Sequence, residues 1–296
     1  MTNPFQCGYV ALIGKPNTGK STLMNALVGE KLSITAKRPQ TTRHQILGIK
    51  TTDQYQCIFV DTPGIHQDQK KAINRYMNRA ATSVLDDVDL NCVLLDVRNF
   101  NGDDLQVLKK LDHLKNVILV LNKIDQVQKN DLLPLMQRIS ALRPDADIIP
   151  VSALKQENLE QLMRQIQKRL PQGIPQFPDD QLTDKPMRFI VAEIIREKLF
   201  RMLTQELPYS ITVNVEHYKT EADLVRISAS IWVERKSQKG IVIGKQGALL
   251  KKIGIDARAD IERLVDTRVF LQLWVKVRED WSDDERSLSA FGYSNE

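Results

Sequence analysis

The densest chemistry in the chain sits near its start, in GKPNTGKS at Gly14–Ser21, which fits G-x-x-x-x-G-K-[ST]. Gly14 and Gly19 let the backbone bend so that its N–H groups face phosphate oxygens. Lys20 carries a cation to the β- and γ-phosphates, and Ser21 offers a hydroxyl to Mg²⁺. Lys15, Pro16, Asn17 and Thr18 form the crown of the loop, and Thr22 follows it. The apolar YVALI before the loop and the amphipathic TLMNALVGEK after it supply a strand and a helix in register, which a plain glycine turn does not require. The helix start adds a partial positive charge.

Two further segments complete a nucleotide site. DTPG at Asp61–Gly64 places a carboxylate to hold a magnesium-bound water and a glycine N–H for the γ-phosphate. NKID at Asn122–Asp125 reads the base, because the Asp125 carboxylate can accept from both N1–H and the exocyclic amine of guanine. Adenine has no such donor pair and would strand a desolvated carboxylate, at about 1–3 kcal/mol or more. Lys123 can lie along the base and Asn122 can tie this loop to the phosphate loop. The SAL run, Ser152, Ala153 and Leu154, can give a backbone N–H to the guanine carbonyl. GTP and GDP are expected over adenine nucleotides.

Taken in order, GKPNTGKS, DTPG, NKID and SAL resemble the motifs of translation-factor-class GTPases. The resemblance implies a switch segment at RPQTTRHQILGI that supplies a third magnesium ligand beside Ser21 and Asp61. Thr42 is the first choice and Thr41 stays open. Ile65 stands where Ras-like enzymes carry a water-orienting glutamine, which excludes that mechanism at this position. Asn17 matches an asparagine that helps hold K⁺ in potassium-using relatives; it either does so here or only shapes the loop. Lys20, Thr42, Gly64 and Asn17 are thus the residues expected to act in hydrolysis.

A second glycine-lysine loop, GKQG at 244–247, has no Ser or Thr after a Gly-Lys and is not expected to hold a nucleoside triphosphate. It lies between the apolar run KGIVI, strand-like or the end of a helix, and a helical ALLKKIGIDARADIERLV. From Glu234 to Lys252, six cations face one acid. With MRFIVAEIIREKLFRML as a helix and three alternating segments as strands, the order is α-β-β-α-α-β if KGIVI ends a helix, and it resembles a type II KH domain. That resemblance implies a clamp for about four nucleotides of single-stranded RNA, built from Ile241, Ile243, Gly244, Lys245, Gln246, Gly247 and Lys251, with Ile241, Val242 and Ile243 packing the base of the turn and lining the nucleotide groove. The whole chain, down to VREDWSDDERSLSAFGY, closely resembles the Era family of GTPases. It implies binding of the 3′ end of small-subunit ribosomal RNA, a role in assembling the small ribosomal subunit, a monomer, and peripheral contact with the inner face of the cell membrane. The rival reading is a membrane-associated signalling GTPase whose basic domain docks on lipid or protein.

The elements that must position these residues are legible too. YVALIG, ILGIKTT, YQCIFVD, LNCVLLDV, NVILVLN and DIIPVSA read as strands, several followed by amphipathic segments. Their unbroken apolar character suits strands covered on both faces, so residues 1–172 are expected to form an α/β P-loop domain with a doubly wound, mostly parallel sheet. PQGIPQFPDD opens a linker at 173–185, and a smaller α+β KH domain fills 186–296. The composition, 42% hydrophobic and 27% charged in 296 residues, is that of a globular protein, and no apolar run is long enough to cross a bilayer. With no basic start and apolar core at MTNPFQCGYV, a cytoplasmic protein is expected. A net charge of +5 suits a polyanionic partner without establishing one. Cys7, Cys57 and Cys92 lack metal-ligand spacing, and Trp232, Trp274 and Trp281 read as packing residues of core or surface.

Overall fold

The computed structural model describes residues 4–36, 40–64, 71–203 and 207–293. Ile65, named above as a departure from Ras-like enzymes, lies outside them. The chain divides into two compact units, Met1–Gln67 with Met77–Asp184, and Asp68–Tyr76 with Lys185–Glu296.

The first unit runs β1 (Gln6–Ile13), α1 (Lys20–Val28), β2 (Ile46–Thr51), β3 (Tyr55–Asp61), then α2 (Ala72–Thr82), of which only residues from Met77 onward belong to it. It continues with β4 (Leu90–Asp96), α3 (Gly102–Lys110), β5 (Val117–Asn122), α4 (Lys129–Leu142), β6 (Asp147–Val151) and α5 (Leu159–Gln167). The strands form one sheet in the order β2-β3-β1-β4-β5-β6, parallel except for the β2–β3 pair. All six residues of β5 are buried, as unbroken apolar strands under helices on both faces require. The register sets Leu12 beside Asp61, Asp96 beside Asn122 and Asn122 beside Val151. The phosphate loop, DTPG, NKID and SAL therefore all leave the sheet at one end, beside β1, where the strand order reverses and open α/β sheets bind their ligands.

The proline-rich stretch after α5 has no regular structure, yet it is fastened to this unit. Cys7 N–H donates to Pro171 O at 3.1 Å and Gly173 N–H to Phe5 O at 3.1 Å. The Gln56 side chain accepts from the N–H groups of Gln176 and Phe177 and donates to Phe177 O. Phe177 packs beside Ile49 and Ile58. On β2, Ile49 N–H donates to Leu182 O at 2.8 Å and Leu47 N–H to Asp184 Oδ1 at 2.9 Å. The residues expected to be a linker, 173–185, are thus a belt on the sheet up to Asp184.

The second unit adds α6 (Met187–Met202), β7 (Thr212–Glu221), β8 (Leu224–Val233), α7 (Lys236–Ile243), α8 (Ala248–Val265), β9 (Val269–Val277) and α9 (Glu285–Ala290). Its sheet is β7-β8-β9, antiparallel then parallel. The open question about KGIVI is settled: it is the end of α7, with Val242 fully buried under the sheet. One face of the sheet carries α6 and α8 over Ile227, Ala229, Ile231 and Val275. On the other face the C-terminal segment brings aromatic rings together, with Trp281 stacked on Tyr293 at 6.0 Å and Phe291 against Trp232 at 5.5 Å. Residues 71–76 belong here: Ala72 N–H donates to Asp283 Oδ1 at 2.8 Å, Ile73 N–H to Ser282 O at 3.1 Å, and Tyr76 meets the Tyr293 ring at 5.6 Å. The expectation that everything up to residue 172 belongs to the first unit does not allow for this segment.

The tryptophans separate into two kinds. Trp281 is fully buried with its indole N–H on Ser210 O at 3.0 Å, whereas Trp274 is 55% exposed. Trp281→Ala is expected to lower stability by about 3–5 kcal/mol and Trp274→Ala by no more than about 0.5 kcal/mol, read from urea unfolding of the full chain. Equal losses would contradict the packing described.

Candidate functional site

The phosphate loop is shaped by close approach on two sides. At Gly14 (φ 151°) a Cβ would stand 2.5 Å from Leu94 O of β4, and at Gly19 (φ 100°) it would run into the Asn122 amide. Glycine is needed at both. α1 begins at Lys20 with no side chain capping it, so its first N–H groups stay available to an anion. The Lys20 ammonium lies over the loop and donates to Gly14 O and Lys15 O, both at 3.1 Å. Burial lowers its pKa to about 8, against the opposing charge of Asp61. Thr18 Oγ1 donates to Lys15 O at 2.9 Å and closes the crown. Asn17 has φ 65°, a left-handed conformation that asparagine adopts readily, which accounts for an asparagine there by loop shape alone.

Lys15 departs from the expectation for a phosphate-loop lysine. Its ammonium donates to Asn101 Oδ1 at 3.0 Å and Asp104 Oδ2 at 2.7 Å, the pair that caps α3, and Asp104 is buried. Its part in the loop is its backbone.

Behind the loop four oxygen side chains converge. Ser21 Oγ donates to Asp61 Oδ2 at 2.7 Å, Ser21 Oγ and Thr42 Oγ1 stand 2.7 Å apart, and Ser33 Oγ donates to Asp61 Oδ2 at 2.9 Å. Burial raises the Asp61 pKa, and the Ser21 hydrogen bond, the Lys20 charge and the Ser33 hydrogen bond oppose it. Asp61 Oδ1 is buried with no hydrogen-bond partner among the described residues. Hard oxygens with one orphaned carboxylate oxygen are what a Mg²⁺ ion lacks and needs. Thr41 and Thr42 are equally buried, but it is the Thr42 hydroxyl that meets Ser21. Ser33 was missed because it falls in no motif; it is held there by Asn25, which accepts from the N–H groups of Leu32 and Ser33 and donates to Ser33 O. A pocket lies over these groups, lined by the loop, Thr35, Gln40 and Gly64. Gly64 presses on the loop crown so closely that a Cβ would be 2.7 Å from Pro16 N.

Asn122 joins the base-reading loops. Its amide nitrogen donates to Thr18 O at 2.8 Å, and its oxygen accepts from Lys123 N at 2.8 Å and Ala153 N at 3.0 Å. Ser152 Oγ donates to Asp125 Oδ1 at 2.6 Å and aims that carboxylate. Lys123 donates through its ammonium to Asn17 O and Asp96 Oδ2. The Leu154 side chain is 67% exposed and only its backbone belongs to the loop.

In the second unit Gly244 (φ 73°) and Gly247 (φ 78°) turn the chain from α7 into α8, and Gly247 leaves the start of α8 without a side-chain cap. Lys245 and Gln246 project to solvent, as do Lys251, Lys252, Arg235, Lys236 and Lys239. Ile241 is 55% exposed on α7, and Ile243 is partly buried against the core. Beside the turn, α8 and β9 border an open groove lined by Leu250, Gly254, Ile255, Arg258 and Phe270 among others. None of these five was singled out from the sequence. The signal was there, since Leu250, Gly254 and Arg258 recur every four residues along α8. The groove joins a basic rim to an apolar floor, the surface a short single strand with splayed bases needs.

Residues 9–123 match the family described as "50S ribosome-binding GTPase" and residues 206–282 match the KH domain family. The chain is 48% identical over 293 residues to GTPase Era of Azotobacter vinelandii, covering 98% of each. To GTPase Era of Haemophilus influenzae it is 48% identical over 302 residues, covering 100% of each. Among solved structures it is similar, with TM-score 0.95 and 38% identity over 98% of this chain and 100% of the other, to Era in complex with MgGDPNP and nucleotides 1506–1542 of 16S ribosomal RNA. A variant of Aquifex aeolicus Era bound to GDP and AlF₄⁻ matches with the same TM-score, identity and coverage. With both units matched in order and nearly half of all residues shared along the full length, the chain belongs to the GTPase Era family.

Proposed function

We propose that this chain binds and hydrolyses GTP in its first unit and uses its second to clamp the 3′ end of small-subunit ribosomal RNA during assembly of the small ribosomal subunit. One observation carries the nucleotide half: Ser21, Thr42 and Asp61 converge behind the Lys20 ammonium, with Asp61 Oδ1 left unpaired. The loop N–H groups and the start of α1 bind the α- and β-phosphates, and Lys20 leaves the Gly14 and Lys15 carbonyls for β- and γ-oxygens. Asp125, held by Ser152, accepts from the guanine edge, while Ala153, held by Asn122, presents its neighbourhood of backbone N–H groups to the guanine carbonyl. Ser21, Thr42 and Asp61 would hold Mg²⁺, which when bound neutralises charge on the β- and γ-phosphates. With an apolar residue after Gly64, no side chain there orients water, and turnover by the isolated protein is slow.

The RNA half rests on the exposed GKQG turn, its ring of solvated lysines and the α8/β9 groove beside it. The family description that names the 50S particle covers only residues 9–123, so it does not bear on the RNA held by the second unit. That the Era structure above contains 16S nucleotides supports the small-subunit assignment. The membrane-docking alternative gains no support from either unit.

Three outcomes test this reading. Asp125→Asn is expected to move preference from GTP towards XTP in competition binding, because an amide donates to the carbonyl xanthine carries at that edge; unchanged preference refutes the base assignment. GDP binding at pH 8 is expected to take up about half a proton, since phosphate raises a Lys20 pKa that burial had lowered to about 8. Calorimetry in buffers of different ionisation enthalpy reads this uptake, and Lys20→Ala should abolish it. For the RNA half, substituting Gly244 would also disturb the fold, since a Cβ there lies 2.7 Å from Leu249 Cβ. Lys245→Asp with Gln246→Asp changes only exposed side chains. It is expected to weaken single-stranded RNA binding at least about tenfold and leave GDP affinity unaltered. Normal RNA binding by that variant would overturn the KH assignment.

A further inference from the structure

We propose that Asp96 is a positioning residue for guanine nucleotide: its carboxylate holds the Lys123 ammonium against the phosphate-loop carbonyl of Asn17 and thereby fixes the loop that reads the base. The inference rests on the reading of NKID given above and assigns a role to a residue outside every motif.

Asp96 is the last residue of β4 and lies in register beside Asn122, so its carboxylate emerges next to NKID. Asp96 Oδ2 accepts from Lys123 Nζ at 2.7 Å, and the same nitrogen donates to Asn17 O. One ammonium therefore bridges β4 and the crown of the phosphate loop. Lys123 has φ 72°, a left-handed conformation that a lysine adopts only when its surroundings hold it. Anchoring the far end of its side chain supplies that hold and keeps the methylene stem stationary where the base lies along it.

The carboxylate is itself fixed from its other side. Arg98 Nε donates to Oδ1 at 2.9 Å, Arg98 Nη2 to Oδ2 at 2.7 Å, and the Arg98 backbone N–H to Oδ1 at 3.1 Å. Arg98 Nη1 reaches Gln126 Oε1 at 2.7 Å, one residue beyond Asp125. Arg98 alone satisfies both carboxylate oxygens, so the bond to Lys123 is not needed to keep Asp96 paired; it is directed at the nucleotide loops. The Asp96 and Lys123 side chains are 13% and 19% exposed, which leaves their attraction little screened. Burial raises the Asp96 pKa, but hydrogen bonds from Arg98 and Lys123 outweigh it and hold it down to about 2, so the anchor is charged throughout the working pH range.

Fluorescent GDP, titrated and chased on the full chain, tests the role through a double-mutant cycle. Asp96→Asn is expected to weaken GDP binding about tenfold, chiefly by faster release, while kcat at saturating GTP stays within about twofold. Asp96→Glu should recover most of the loss. In a Lys123→Met background, Asp96→Asn should add less than about twofold, because the group it positions is gone. A tenfold loss in both backgrounds would mean that Asp96 acts on the fold alone, and no loss in either would remove it from nucleotide binding; both overturn the proposal. Should Asp96→Asn fail to fold, Arg98→Ala replaces it in the same cycle. Its loss of about threefold is expected only where Lys123 is present, and an equal loss or none overturns the proposal. A wild-type chain that prefers another base would instead sink the nucleotide reading, which these variants leave separate.

Discussion

Everything in the nucleotide site hangs on one primary amide. Asn122 is almost completely buried at the end of β5, and its three hydrogen bonds go to the phosphate loop, to its own loop and to the SAL loop. Each partner is a backbone group, so the amide serves loops of varied side chains while fixing where their main chains run. A buried amide that loses one partner is left with the desolvation cost of the other groups, about 1–3 kcal/mol each, which makes the three loops stand or fall together. The same constraint reaches back into the sequence. Gly19 must be glycine because the Asn122 amide occupies the place a Cβ would take. Two motifs more than one hundred residues apart in the chain are therefore one packing unit.

How much of this was legible depends on how local the signal is. The six strands of the first unit, the phosphate loop, DTPG and NKID were readable because each is a short run whose residue types serve one geometric task. The parallel order and the meeting of the loops at one end of the sheet follow from apolar runs that need cover on both faces. Lys15 was not readable: whether a lysine in a variable loop position faces phosphate or the cap of α3 is decided by Asp104, nearly ninety residues away. Ser33 was hidden for the same reason, its position being set by Asn25 rather than by any spacing to Asp61. KGIVI is apolar and β-branched enough for a strand, and tertiary packing of Val242 under the second sheet overrides that propensity. Residues 71–76 carry nothing in their composition to say that their partners are Ser282, Asp283 and Tyr293.

The two glycine-lysine loops show one physical device set to two tasks. Each places a glycine with positive φ at the start of a helix and leaves the helix uncapped by any side chain, α1 at Gly19 and α8 at Gly247. In the first, the lysine is buried and lies on carbonyls, and oxygen ligands stand behind it, so a compact, multiply charged phosphate chain is enclosed. In the second, Lys245 projects to solvent and an open groove runs alongside, which suits a polymer that must enter from the side. Burial of the cation, more than the presence of glycine and lysine, separates the two.

The belt of residues 171–184 has a consequence for the behaviour of the first unit in solution. β2 is the outermost strand of its sheet, and the N–H groups of Leu47 and Ile49 are occupied by Asp184 and Leu182. A fragment ending where helical structure stops, after α5, would strip that cover and leave an apolar edge free to pair with the same edge of another copy. Self-association of such a fragment would then reflect a missing strap and say nothing about how the intact chain assembles.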